Sequence, residues 1–122
     1  MDKQLAKISN AKLIIKDRGI LTFWIYVDYE EGMSQGIGGM ALDTYDKERQ
    51  ERIGTAYGCE MIRRLFIELG VNDFSEMAGQ HIWVYGKGSG LGFTPTGISA
   101  LYTNNKNSKP VIFSEVAEEF EL

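Results

Sequence analysis

The chain has 122 residues, 43% of them hydrophobic and 25% charged, with only two prolines, which describes one folded domain spanning 1–122 and excludes a disordered or low-complexity polypeptide. Lys and Arg total 13 against 17 Asp and Glu, a net charge of −4, so binding to a nucleic-acid polymer is not expected, whereas a small anionic ligand remains compatible. A single cysteine, Cys59, rules out an internal disulfide, and no apolar run reaches the length that spans a bilayer. The N-terminal "MDKQLAKISN" lacks the hydrophobic region of a signal peptide, so a cytoplasmic protein is expected.

In chain order, "KISNAKLIIK" and "ILTFWIYVDY" are β-branched and aromatic and flank "DRG", a pattern that predicts an antiparallel hairpin with Gly19 in the turn. In its second strand Leu21, Phe23, Ile25 and Val27 share one face, while Ile20, Thr22, Trp24 and Tyr26 share the other. Neither face is charged, so both are expected to be covered. After a turn at Glu30–Gly32, "MSQGIGGMALD" reads as a third strand interrupted by glycines, bare of side chains around Gly36 and Gly38. The charged "TYDKERQER" reads as a loop or an early helical turn.

"GTAYGCEMIRRLFIELG" predicts a helix that starts at a Thr55 cap and ends at Gly70, with Ile62, Leu65, Phe66 and Leu69 as its buried stripe. Glu60, Arg64 and Glu68 are expected to form charge pairs on the outside. A helical turn near Ser75, a strand in "QHIWVYG", the glycine-rich "KGSGLGFTPTG" and a strand in "ISALYT" follow. Ser114 is placed to cap a short C-terminal helix running to Phe120. The result is an α+β domain: a mainly antiparallel sheet of about five strands, one central packed helix and a short C-terminal helix, with the aromatic face available for self-association.

Groups suited to catalysis are few. His81 is the sole histidine and lies in a strand, Cys59 lies on the helix, and the carboxylate pairs lie in charged turns and helix faces without an apolar setting. Neither "GIGG" nor "GKGSGLG" has the frame of a dinucleotide or P-loop fingerprint. Glycines outside those frames either expose backbone N–H groups to a ligand or let an aromatic ring or a second backbone lie flat on the strand, with the packing explanation ahead. Trp24, Tyr26, Trp83 and Tyr85 alternate on strands where rings can stack on nucleobases.

Taken together, Asp17-Arg18-Gly19-Ile20-Leu21-Thr22, then Gln35-Gly36-Ile37-Gly38-Gly39, then the helix and Gly70-Val71 before a closing strand resemble a family of small bacteriophage proteins, over about residues 8 to 116. The family is that of the first-described anti-Thoeris sponges, which capture cyclic ADP-ribose signals. The resemblance implies a phage-encoded, non-enzymatic homo-oligomer in the cytoplasm of the infected bacterial host. Such a protein would sequester a cyclic ADP-ribose isomer or a cyclic oligonucleotide without cleaving it and without a cofactor; no metal ligands are assigned, and whether a metal takes part stays open. The two rivals are a phage module that inhibits a host protein through the aromatic sheet, and a hydrolase of the signal. The motif match carries over Gln35, Gly36, Gly38 and Gly39 as ligand contacts. General chemistry adds Trp83 for stacking, Asn104, Asn105 and Lys106 as polar contacts, and Arg52 to neutralise a phosphate. "KGSGLGFTPTG" and "TNNKNSK" depart from the more charged C-terminal segment of the family, which leaves the ligand open.

Overall fold

The computed structural model describes residues 2–101 and 108–120. It is an α+β domain in which β1 (Asp2–Lys16), β2 (Ile20–Tyr29) and β3 (Ser34–Gly38) form a meander. β4 (Asp43–Asp46) and β5 (Glu51–Gly54) form a small hairpin of their own, and α1 (Ala56–Leu69) follows. Then come β6 (His81–Lys87), β7 (Thr94–Ala100), β8 (Val111–Ile112) and α2 (Phe113–Glu119). The main sheet is antiparallel in the order β3-β2-β1-β6-β7-β8.

The first hairpin forms as its composition predicts, with Arg18 and Gly19 both at positive φ (65° and 78°) in the turn. It sets a register in which Leu13 faces Phe23, Lys12 faces Trp24 and, short of a bulge at Ser9, Asn10 faces Tyr26. Alternation then sorts the strands into two faces. Ile8, Ala11, Phe23, Ile25, Val27, Ile37, Ile82, Val84 and Ile98 point inward and are buried with Met61, Leu65 and Leu69 of α1 and Val116 of α2. Both helices therefore cover the inner face, and the outer face carries Lys12, Trp24, Tyr26, Trp83 and Tyr85, none of them fully buried. Within one chain the helices cover the inner face, and the outer face is the one for which self-association is the expected cover.

The sheet curls until its first edge meets the β6–β7 connection. Gln35 Nε2 donates to the carbonyl of Phe93 at 3.0 Å, and the Tyr29 and Phe93 rings meet edge to face at 6.1 Å. Tyr29 Oη in turn donates to Gln35 Oε1 at 2.6 Å, and burial pushes the Tyr29 phenol up to about 12.

Four local expectations are corrected. "TYDKERQER" is mostly hairpin: β4 and β5 pair Thr44 with Ile53 and Tyr45 with Arg52, with Gln50 at φ 56° closing the turn. The buried stripe of α1 is rotated from the expected one, because Met61 is fully buried while Ile62 and Phe66 are only partly so. Glu68, expected outside, is buried and bonds the backbone N–H groups of Ala100 and Lys109; only Glu60 and Arg64 form the expected ion pair, at 2.7 Å. Ser114 does not cap α2; it lies within the helix, whose N-cap position is Ile112. The Thr55 cap and the left-handed Gly70 stop of α1 are as expected, since Thr55 accepts from Gly58 N and Gly70 has φ 66°.

Candidate functional site

The glycine-rich third strand is shaped by the protein's own aromatic residues. A side chain at Gly39 would meet the Trp24 indole at 2.6 Å, and one at Gly36 would crowd both Trp24 at 3.2 Å and Tyr26 at 3.3 Å. Gly38 has φ 122°, and its missing Cβ would lie 2.4 Å from the Phe23 carbonyl. The glycines thus let an indole lie across β3 while the chain bulges and continues along β2, where Thr22 Oγ1 donates to Met40 O at 2.7 Å and Leu42 N donates to Leu21 O at 2.8 Å. Packing is the part of the alternative that the structure fills. Trp24 also stacks on Tyr26, with centroids 6.1 Å apart and planes 19° apart, an arrangement worth about 0.5–1.5 kcal/mol beyond burial.

Beside these rings the outer face forms a broad trough of about 600 Å³, lined among others by Asn10, Lys12, Tyr26, Asp28, Ser34 and Gly36. The Lys12 ammonium lies 5.5 Å above the Tyr26 ring. Ser34 Oγ donates to Asp28 Oδ1 at 2.6 Å, and at the bulge Ser9 Oγ donates to Tyr26 O at 3.2 Å. The lining therefore brings together an aromatic ring, the bare backbone of Gly36, one cation, an amide, hydroxyls and one carboxylate. Such a surface can stack a planar base and place an anion near Lys12.

The expected contact residues do not converge. Gln35 faces inward, its amide committed to Tyr29 and Phe93, although part of it borders the trough. Trp83 does share the outer face, under the Lys3 ammonium at 4.4 Å, but it pairs with Leu5 of β1, while Gly36 pairs with Tyr26, itself opposite Asn10. Three strand spacings and five residues of offset separate Gly36 from Trp83 by on the order of 20 Å along the sheet. Arg52 belongs to the separate β4–β5 hairpin and grips Asp43, with Nε–Oδ2 at 3.0 Å and Nη2–Oδ1 at 2.8 Å. Asn104, Asn105 and Lys106 lie outside the described residues. Cys59 is exposed on α1, which covers the inner face, whereas His81 occupies an outer-face register position. The described residues hold no group of three or more His, Cys, Asp or Glu placed to bind a metal ion.

Asn10, Lys12, Asp28 and Ser34 were not singled out from the sequence, yet the signal was there. Counting outward from the turn at Arg18 puts Lys12 opposite Trp24 and Asn10 opposite Tyr26.

The Asp43–Arg52 pair also makes a prediction. The Arg52 guanidinium, helped by the Leu21 N–H at 3.2 Å, holds the Asp43 carboxyl below its usual 3.8 against the opposing effect of burial. A depressed folded pKa stabilises the protein above the unfolded value, and that contribution is lost as pH falls through the folded one. Arg52→Ala is therefore expected to be less stable than wild type at neutral pH, with the difference shrinking in strong acid. Urea unfolding at pH values from neutral to below 3.8 checks this, and a pH-independent difference would contradict it.

No protein-family model, curated protein or solved structure matches the chain. Among the described residues no helix is long and apolar enough to cross a membrane.

Proposed function

We propose that this protein is a non-catalytic binding domain that sequesters a small cyclic nucleotide, with the trough beside Tyr26 receiving the ligand and assembly of copies completing the pocket. The class of ligand, a cyclic ADP-ribose isomer from an immune signal in a phage-infected bacterium, follows from the resemblance of the Gln35–Gly39 and helix segments to the sponge family. The observation that carries the reading is the meeting of a ring face, an ammonium group and bare backbone in one trough of about 600 Å³, within the ~300–1,000 Å³ usual for ligand sites. Base stacking on Tyr26 supports roughly 1–3 kcal/mol, and phosphate pairing with Lys12 adds a charge-assisted contact.

The test is calorimetry with cyclic ADP-ribose and its ribose-linked isomers, followed by heat denaturation and mass spectrometry of the released ligand. Tyr26→Ala and Lys12→Ala are each expected to weaken binding by about tenfold or more, and the ligand is expected to return intact. Products in place of ligand would make the protein a hydrolase. Absence of binding to every isomer would remove the reading and leave the aromatic face to a host protein.

A further inference from the structure

We propose that the outer half of β1 docks an extended acidic segment of another protein by adding it as a strand to the sheet. β1 pairs with β6 only through Lys7, and Ile8 closes that side through bonds to Gly79 and Gln80, yet β1 continues to Lys16. Among the described residues the strand beyond Ile8 has a sheet neighbour, β2, on one side alone; the helical turn Phe74–Met77 also packs against β1, with the Phe74 ring beside Phe23, the partner of Leu13.

The direction of the backbone groups follows from the register. Tyr29 N bonds Met33 O, Gly39 N bonds Phe23 O and Leu42 N bonds Leu21 O, so the odd residues of β2 address the β3 side. The even residues Thr22 and Trp24 therefore bond to their β1 partners, Ile14 and Lys12. Leu13 and Ile15 are left with N–H and C=O groups aimed away from β2, a short row of donors and acceptors without a partner among the described residues. Their side chains are 43% and 70% exposed, the marks of an edge that another strand can extend.

Charge selects the occupant. On the opposite face of the same segment Lys12 and Lys16 are both exposed, in a chain of net charge −4. Two copies paired about Leu13 would gather all four of these lysines on one face of adjacent strands, where like charges repel. A lipid surface would suit Leu13, Ile15 and the lysines but offers nothing to unmet backbone groups. A strand alternating apolar residues toward Leu13 and Ile15 with carboxylates toward Lys12 and Lys16 satisfies backbone, apolar side chains and charge together.

Heteronuclear NMR of the full chain, titrated with an acetylated and amidated peptide of alternating valine and glutamate, tests the proposal. The amide resonances of Leu13 and Ile15 are expected to shift and to gain exchange protection. The valine–lysine counterpart is expected to bind at least about fivefold more weakly, because it sets ammonium groups opposite Lys12 and Lys16. Lys16→Glu is expected to reverse part of that preference, and Ile15→Lys, at an exposed position, to weaken both peptides while the melting temperature stays near wild type. A glutamate peptide N-methylated on its pairing edge should not bind. Equal binding of both peptides, no shift at Leu13 and Ile15, shifts that grow with protein concentration alone, or shifts caused by anionic phospholipid vesicles would each overturn the proposal.

Discussion

Gly58→Ala is expected to destabilise the protein by about 2–4 kcal/mol, although alanine is the better helix former by about 1 kcal/mol. Gly58 lies in the first turns of α1 at ordinary helical φ, so propensity alone favours the substitution. The opposing effect is steric. An added Cβ would sit 1.9 Å from the carbonyl oxygen of Leu42 and 2.8 Å from its carbon, and neither is a flexible side-chain end that can swing aside. The helix would have to move off the segment that carries Leu42, and that movement disturbs two further bonds. Thr55 Oγ1 donates to Leu42 O at 2.7 Å and accepts from Gly58 N at 2.9 Å, so the cap of α1 and its seat on the chain are one unit. Overpacking against fixed backbone is felt because the interior has no slack. Urea denaturation followed by circular dichroism measures the difference; a variant as stable as wild type would mean that the helix does not seat against Leu42 as described.

The second large effect is expected at Glu68. This carboxylate is 6% exposed and accepts from Ala100 N at 2.9 Å, Lys109 N at 3.0 Å and Ser108 Oγ at 2.8 Å. It ties α1 to the end of β7 and to the approach to β8, adding polar bonds to the apolar packing of Ile98 and Val111 in the shared core. Glu68→Ala leaves those donors without their acceptor, a loss of about 3 kcal/mol when each unmet donor costs ~1–3 kcal/mol in part-buried surroundings. Glu68→Gln keeps one oxygen but replaces the other by a donor, so its loss should be intermediate. The expected order of unfolding midpoints is wild type, then Gln, then Ala. Equal midpoints for Gln and wild type would show that only one oxygen matters.

Glu68 also shows where sequence reading stops. From the sequence it is one member of a surface series with Glu60 and Arg64, and for those two the spacing was sufficient: Arg64 Nε meets Glu60 Oε2 at 2.7 Å, and Arg64 bonds Glu119 of α2 as well. The rotation of the helix about its axis was not legible, since Met61, Leu65, Leu69 and Ile62, Phe66, Leu69 are both acceptable apolar stripes, and the sheet beneath chooses between them. The β4–β5 hairpin was missed for a related reason. Its strands are four residues each and rich in charge, so no alternation stands out, and pairing with each other rather than with the main sheet gives them their form.

The trough was half legible. The aromatic alternation and the turn at Arg18 contained its register, but not the bulge at Ser9 or the curl that brings β3 back to Phe93. The glycines were legible as sites of close approach, and only the tertiary structure named what approaches: the ring of Trp24 and the carbonyl of Phe23.

By itself, then, the sequence determined what depends on neighbours in the chain: the first hairpin and its turn, the span and both ends of α1, and the α+β class. Such features rest on dihedral preferences and periodicity within a few residues. Only the tertiary structure decided which side of α1 is buried, that Glu68 lies inside, that Arg52 is held by Asp43 rather than left free, and that Gly36 and Trp83 stand far apart on one face. Each of these depends on contacts between residues distant in sequence, where side chains of similar polarity compete for the same place and packing selects among them.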